Sequence, residues 1–247
     1  MNIVFLTQSL AFGGAERVMS ILANSFAVRG DTVYMLLSSN IELVAYPLND
    51  KVKLIKFNNE VRFSSPLSIL REVRTLKRIF SEISPDVIVT FAGIEFVFAR
   101  LSTIVNKIPI VFSQRCDPNT KEKKSRFYEK IAVNNATAVV FQSTAAKNYY
   151  PKKVQSKSTI IMNPLDISKF QPCESQGCED VIITVGRLSK QKNHKLLINS
   201  FNEISKQYPN YSLWIVGTGS EERNLQKQIE QLNLEGKVFL MGSRSDI

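Results

Sequence analysis

Two cations and a glycine mark the stretch of this chain best equipped for chemistry. In Gly186-Arg187-Leu188-Ser189-Lys190-Gln191-Lys192 a glycine turn follows the apolar, β-branched run Val181–Val185. The pattern predicts a strand that delivers Arg187 to its carboxyl end. Lys192 then arrives just before the next helix, near the positive end of its dipole. Arginine offers a planar fork and lysine a point charge, a pair suited to a diphosphate. Two exposed cations flanking a loop are the alternative on local pattern alone. Val216-Gly217-Thr218-Gly219 closes the following strand in a second glycine turn, expected at the same sheet edge.

A related turn opens the chain. Asn2–Thr7 reads as a strand, Gly13-Gly14 follow a short turn, and Ala15-Glu16-Arg17-Val18 begin a periodic helix. Unpaired N–H groups at that helix start would face whatever lies above the carboxyl edge of the sheet. Gly-Gly is also a common tight turn. Neither the dinucleotide fingerprint Gly-x-Gly-x-x-Gly nor a phosphate-binding P-loop occurs, so dehydrogenase and ATPase chemistry lose support. Glu16, one turn into the helix, could aim a carboxylate at a cleft or simply favour the positive helix end. Two such turns on separate α/β units point to a ligand held between two domains.

Other candidates are weaker. Asn163-Pro164-Leu165-Asp166 follows a strand and could line the cleft, although Asn-Pro is an ordinary turn initiator. His194 neighbours Lys192, but a residue in the first turn of a helix is favoured over a catalytic base. It is the sole histidine, and Cys116, Cys173 and Cys178 form no Cys-x-x-Cys pair, which argues against a zinc site. Arg71, Arg74 and Arg78 fall opposite the apolar face of a helix over 67–83. A second basic cluster holds Lys121, Lys123, Lys124, Arg126 and Lys130 beside Phe127 and Ile131. Both clusters read as solvated faces or as contacts for an anionic membrane or a lipid diphosphate. No aromatic-interleaved basic strand points to nucleic acid.

The elements that must position these residues alternate. Strands are expected at Asn2–Thr7, Thr32–Leu37, 53–57, Val87–Thr90, Ile110–Ser113, 138–142 and 159–162. In the first helix Val18, Leu22 and Phe26 repeat at i, i+4, and Gly30 closes it. Ile69, Val73, Leu76, Phe80 and Ile83 predict one apolar face on the helix over 67–83. Such alternation implies a mostly parallel sheet covered on both sides, binding ligands at the carboxyl ends of its strands. After the polar stretch 171–180, read as a linker, a second unit follows. It has strands at Val181–Val185, 211–216 and 237–241 and helices at His194–Gln207 and 220–232.

Composition sets bounds on all this. The 247 residues suffice for one large α/β domain or two small ones, and 44% hydrophobic with 22% charged residues is ordinary for a globular chain. The formal charge of +10 favours anionic partners, or merely a solvated basic surface. No apolar run is long enough to span a bilayer and no basic leader precedes the first strand, so a cytosolic protein with reduced thiols is expected.

Taken together these residues resemble the family 4 glycosyltransferases. The resemblance rests on Gly13-Gly14-Ala15-Glu16-Arg17-Val18, Ile161-Met162-Asn163-Pro164-Leu165-Asp166, Val185-Gly186-Arg187-Leu188 through Lys192, Val216-Gly217-Thr218-Gly219 and Val238-Phe239-Leu240-Met241-Gly242. It implies the GT-B fold: α/β, two Rossmann-like domains with mostly parallel sheets. Residues 1–170 would form the acceptor-side domain, 171–180 the linker, and 181–247 an incomplete nucleotide-sugar domain. It further implies metal-independent, retaining transfer of a hexose or N-acetylhexosamine from a nucleotide sugar, a UDP-sugar, without a cofactor. Arg187 and Lys192 would bind the donor diphosphate and stabilise the leaving charge. Gly13, Gly14, Gly186, Gly217, Gly219, Met241 and Gly242 would approach the donor, with backbone near Met241-Gly242 meeting the base. Glu16 and Asn163 would line the acceptor side or cleft.

Ser113-Gln114-Arg115-Cys116-Asp117-Pro118 looks like the matching segment of bacterial enzymes acting on lipid-linked or surface glycans, such as capsule or O-antigen. That makes Arg71, Arg74 and Arg78 a membrane-facing acceptor side, and the protein peripheral at the inner face of the cell membrane. Two departures accompany the resemblance. Family members continue for roughly another hundred residues, through a glutamate-rich motif that holds the donor sugar and ribose. Phe91-Ala92-Gly93 stand where many relatives place a histidine. The expectation is a fragment of a longer enzyme or a truncated product, and the alternative is a non-catalytic membrane- or partner-binding remnant. A sugar-nucleotide epimerase of like architecture would need acid/base groups that a single histidine hardly supplies.

Overall fold

The computed structural model describes residues 1–39, 44–57, 66–116, 122–164 and 180–244. The chain divides into two compact units, Met1–Asp166 and Ile167–Ile247. The expected linker at 171–180 lies, apart from Asp180, outside the described residues, as does Lys121 of the second basic cluster.

In the first unit seven parallel strands stand in the order β3-β2-β1-β4-β5-β6-β7. They are β1 (Asn2–Thr7), β2 (Thr32–Leu37), β3 (Val52–Lys56), β4 (Val87–Thr90), β5 (Ile110–Ser113), β6 (Ala138–Phe141) and β7 (Ser158–Ile160). Helices α1 (Gly14–Arg29), α2 (Pro66–Ile83), α3 (Gly93–Ser102), α4 (Lys123–Asn135), α5 (Thr144–Asn148) and α6 (Lys152–Gln155) connect them. Successive side chains of a strand point to opposite faces, and β1 shows the consequence. Val4 and Leu6 join one core with Leu76 and Phe80 of α2 and Phe96 of α3; Ile3 and Phe5 join the other with Met19 and Ala23 of α1. A strand buried on both sides has no polar face to alternate with, which is why β1 reads as a continuous apolar run.

Helix packing follows the expected stripes in part: Val18 is buried, and Val73, Leu76, Phe80 and Ile83 pack into the core. α1 seats Met19, Ala23 and Ala27 in the core, while Leu22 and Phe26 are only partly buried beside it. Small alanines let the helix backbone approach the sheet, so the largest apolar residues flank the contact. Gly30 ends α1 at φ 100°, with its N–H on Ala27 O and the Asp31 N–H on Phe26 O, a glycine-dependent C-terminal motif. On α2 the buried face is Leu76, Ile79, Phe80 and Ile83 with Glu72, whereas Ile69 is 36% exposed.

The second unit is smaller. Three parallel strands, β8 (Val181–Val185), β9 (Ser212–Val216) and β10 (Val238–Gly242), lie in the order β10-β9-β8. Helices α7 (His194–Gln207) and α8 (Glu222–Gln231) bury Ile198, Phe201, Leu225 and Ile229 against Leu213 and Ile215 of β9. On β8, Ile183 and Val185 alternate away from that core and are 57% and 52% exposed. β3, β6, β7, β9, β10, α2 and α8 differ from the expected bounds by one or two residues, the usual uncertainty of a fraying end.

Candidate functional site

The strongest constellation lies at the carboxyl edge of the second unit's sheet. β8 runs into Gly186, whose N–H donates to Val216 O at 2.9 Å and ties the turn to the end of β9. Leu188 is fully buried and anchors the loop in the core, so its neighbours are held at the surface. Arg187 and Lys192 are both exposed there. A single 3₁₀ turn, Lys190–Lys192, leads to Asn193 in the left-handed region and then to α7. The Lys192 stem returns over Gly186: a Cβ added to that glycine would sit 3.5 Å from Lys192 Cε, an ordinary contact. Among the described residues neither Arg187 nor Lys192 has an acidic partner.

The second glycine turn supports the first. A Cβ on Gly217 would lie 2.1 Å from Gly186 O, and one on Gly219 2.3 Å from Leu188 O. Gly217 also sits at φ 141°. Leu188 N–H donates to Thr218 O at 3.0 Å, and Gly217 N–H donates to Gly242 O at 2.7 Å where β10 ends. Gly186, Gly217, Gly219 and Gly242 thus converge with Arg187 and Lys192, while Met241 is half-buried beside them on β10. The N–H groups of Gly186 and Gly217 already serve protein carbonyls, so these two donate within the protein. His194 is buried in the first turn of α7, and neither ring nitrogen has a hydrogen-bond partner among the described residues. Burial, then the charge of Lys192, holds it below the ordinary imidazole range. It borders a cavity of about 240 Å³ that Ser189, Lys190 and Glu221 also line.

In the first unit the expected glycine turn is acidic in character. Gly13 precedes α1 in extended conformation and donates its N–H to Tyr46 Oη at 3.2 Å. The Glu16 side chain folds back over it, so that an added Cβ would lie 2.0 Å from Glu16 Oε2; Gly14 has open space around its Cα. The positive helix end therefore already has a carboxylate beside it. At the start of α3, Glu95 is 8% exposed, and its Oε2 has no hydrogen-bond partner among the described residues. Burial raises its carboxyl to about 7; a backbone hydrogen bond opposes this, and the charges of Glu16 and Glu72 add to it.

The same unit holds a cation that the sequence reading left without a role. Arg115 follows β5, and its guanidinium lies over the Phe91 ring, 4.4 Å from the centroid. Its Nη1 donates to Asn163 Oδ1, which follows β7. Desolvation pulls its pKa down to about 10. The available signal was positional: Arg115 follows its strand much as Arg187 follows β8. Arg71, Arg74 and Arg78 are all exposed along α2. Among the described residues no group of three or more His, Cys, Asp or Glu side chains could hold a metal ion, and no helix is long and apolar enough to cross a membrane.

The sequence profile of Glycosyltransferase Family 4 matches residues 12–169. The chain belongs to the family 4 glycosyltransferases. The profile of Glycosyl transferases group 1 matches residues 168–247. An uncharacterized glycosyltransferase of Methanocaldococcus jannaschii is 27% identical, over 80% of this chain and 55% of the relative. A Campylobacter jejuni enzyme is 23% identical over 98% of this chain and 68% of its own length. It is named GalNAc-alpha-(1->4)-GalNAc-alpha-(1->3)-diNAcBac-PP-undecaprenol alpha-1,4-N-acetyl-D-galactosaminyltransferase. Among solved structures, Anabaena HepE in complex with UDP and glucose superposes with a TM-score of 0.75 at 20% identity, covering 99% of this chain and 70% of HepE. The fold is GT-B, each unit built on a parallel sheet. This glycosyltransferase chain spans 55% to 68% of the length of the two curated relatives.

Proposed function

We propose that this glycosyltransferase moves a hexose or N-acetylhexosamine from a UDP-sugar to a lipid-linked or polysaccharide acceptor, with retention of configuration. The observation that carries the reading is the loop at Gly186–Lys192. Among the described residues its two cations lack acidic partners, and its backbone is seated on two glycines where no side chain fits. As the bond from the sugar to the diphosphate breaks, negative charge grows on the departing oxygen. Arg187 and Lys192 stabilise that charge more than they stabilise the intact donor. HepE, a structural neighbour, is seen with UDP, and the Campylobacter relative is named for a polyprenyl-diphosphate-linked acceptor. On this reading Gly13 and Gly14 approach the donor, Met241 and Gly242 meet its base, and Glu16 and Asn163 serve the acceptor side. The exposed row Arg71, Arg74 and Arg78 faces an anionic membrane that presents the acceptor, at the cytoplasmic side.

The test is UDP binding to the protein by calorimetry. Arg187→Ala and Lys192→Ala are each expected to weaken binding by roughly 10- to 100-fold, the loss of one charge-assisted hydrogen-bonding group. Unchanged affinity in both variants would overturn the assignment. A competent preparation also transfers sugar with retention, read as the anomeric configuration of the product by NMR.

A further inference from the structure

We infer that Arg115, held by Phe91 and Asn163, forms a second oxyanion position, in the first unit, for a phosphate or diphosphate group. A surface arginine normally waves in water or pairs with a carboxylate. Arg115 is held instead by its neighbours. One face of its guanidinium is covered by the Phe91 ring at 4.4 Å, and Phe91 is itself packed against the core that β1 and α1 share. Nη1 is engaged by Asn163 Oδ1. Nε is buried and has no acceptor, Nη2 has no protein partner, and no carboxylate pairs with the group among the described residues.

Such an arrangement is costly without an anion. A desolvated donor left unpaired is unfavourable, more so when it is charged, and a partly buried cation gains most from a counter-charge. Burial lowers the pKa of Arg115 only to about 10, so it remains cationic at neutral pH. With Nη1 spoken for and Nε enclosed, Nη2 is the donor left to an incoming phosphoryl oxygen, through a charge-assisted hydrogen bond. The stack and the Asn163 bond fix the fork before the ligand arrives, so little side-chain entropy is lost on binding. Position supports a substrate role. Phe91, Arg115 and Asn163 follow β4, β5 and β7, at the carboxyl edge where open α/β sheets bind ligands.

The anion site stands on this geometry; its assignment to a transferase substrate rests on the function proposed above. The phosphoryl group could come from a lipid diphosphate acceptor or from the nucleotide donor, and the experiment separates them. Binding of geranyl diphosphate and of UDP is measured on the protein and on Arg115→Gln, Asn163→Ala and Arg187→Ala. A loss of tenfold or more for geranyl diphosphate in Arg115→Gln, with UDP affinity within twofold, establishes the site on the acceptor side. A matching loss for UDP alone, or for both probes, also supports the phosphate site and assigns the nucleotide to it. Unchanged affinity for both probes overturns it. Asn163→Ala keeps the Phe91 stack and is expected to lose about threefold to tenfold for the same probe, so the test survives if Arg115→Gln fails to fold. Arg187→Ala reports on the function proposed above. If it and Lys192→Ala both bind UDP normally while Arg115→Gln loses its probe, that function fails and the site stands.

Discussion

The two glycine turns that look alike in sequence are physically different. At Gly186 and Gly217 backbone meets backbone: the loop after β9 lies directly against the loop after β8, and Gly217 has a positive φ besides. Among the described residues the atoms nearest a Cβ at Gly13 belong to the movable end of Glu16, and none lies within 4 Å of a Cβ at Gly14. Charge divides them as well. Lys190, Lys192 and Arg187 surround the second unit's turn, whereas Glu16 covers the first unit's turn within electrostatic reach of Glu95. A glycine after a strand therefore announces neither close packing nor an anion site. Which of these it provides depends on what the fold brings opposite it.

The contrast can be broken at its strongest point first. Gly217→Ala is expected to destabilise the second unit by ~3 kcal/mol or more, because a backbone oxygen cannot yield and the φ is strained for alanine. The check is the urea midpoint of the second unit, followed through Trp214 fluorescence. A drop in UDP affinity should accompany it, since the Gly186–Leu188 backbone loses its seat. Stability equal to the parent would remove the close-packing half of the comparison.

The acidic turn is tested by pH. Glu95 keeps its proton in the folded unit up to about 7, above the ordinary carboxylate value of 4.5. The folded state thus binds the extra proton between these values, and stability is full below pH 4.5 and falls as pH rises through 7. The loss is on the order of 3 kcal/mol. Glu95→Gln, permanently neutral, should flatten this dependence and be more stable than the parent at pH 8, as read by urea midpoints at pH 5 and pH 8. A parental pH slope in the variant would show that the carboxyl titrates normally.

Smaller effects sharpen the picture. Gly13→Ala should cost about 1 kcal/mol or less, because extended backbone suits alanine and the Glu16 carboxylate can swing away. In a Glu16→Ala background the cost should vanish. Gly14→Ala should be mildly stabilising, by about 0.5–1 kcal/mol, since it replaces a helical glycine in open space. Thermal midpoints of Gly13→Ala, Glu16→Ala, their combination and Gly14→Ala measure both. A large loss at Gly14 would mean that its Cα is closely approached after all.

Much of this protein was legible in its residues. Strand and helix alternation emerged because parallel strands buried on both faces are unbroken apolar runs, and Gly30 marked a helix end by its conformational freedom. The placement of Arg187 and Lys192 around a strand-end loop was equally local. Tertiary structure decided the rest. Arg115 meets Asn163 across 48 residues of sequence and stacks on Phe91 from another strand end. Glu95 acquires its raised pKa from burial and from carboxylates on α1 and α2. Gly217 becomes indispensable only because two loops share one sheet edge. Local order follows from short-range periodicity and turn chemistry, which a sequence displays. Desolvation, charge and backbone contact depend on what folds opposite, which a sequence does not display.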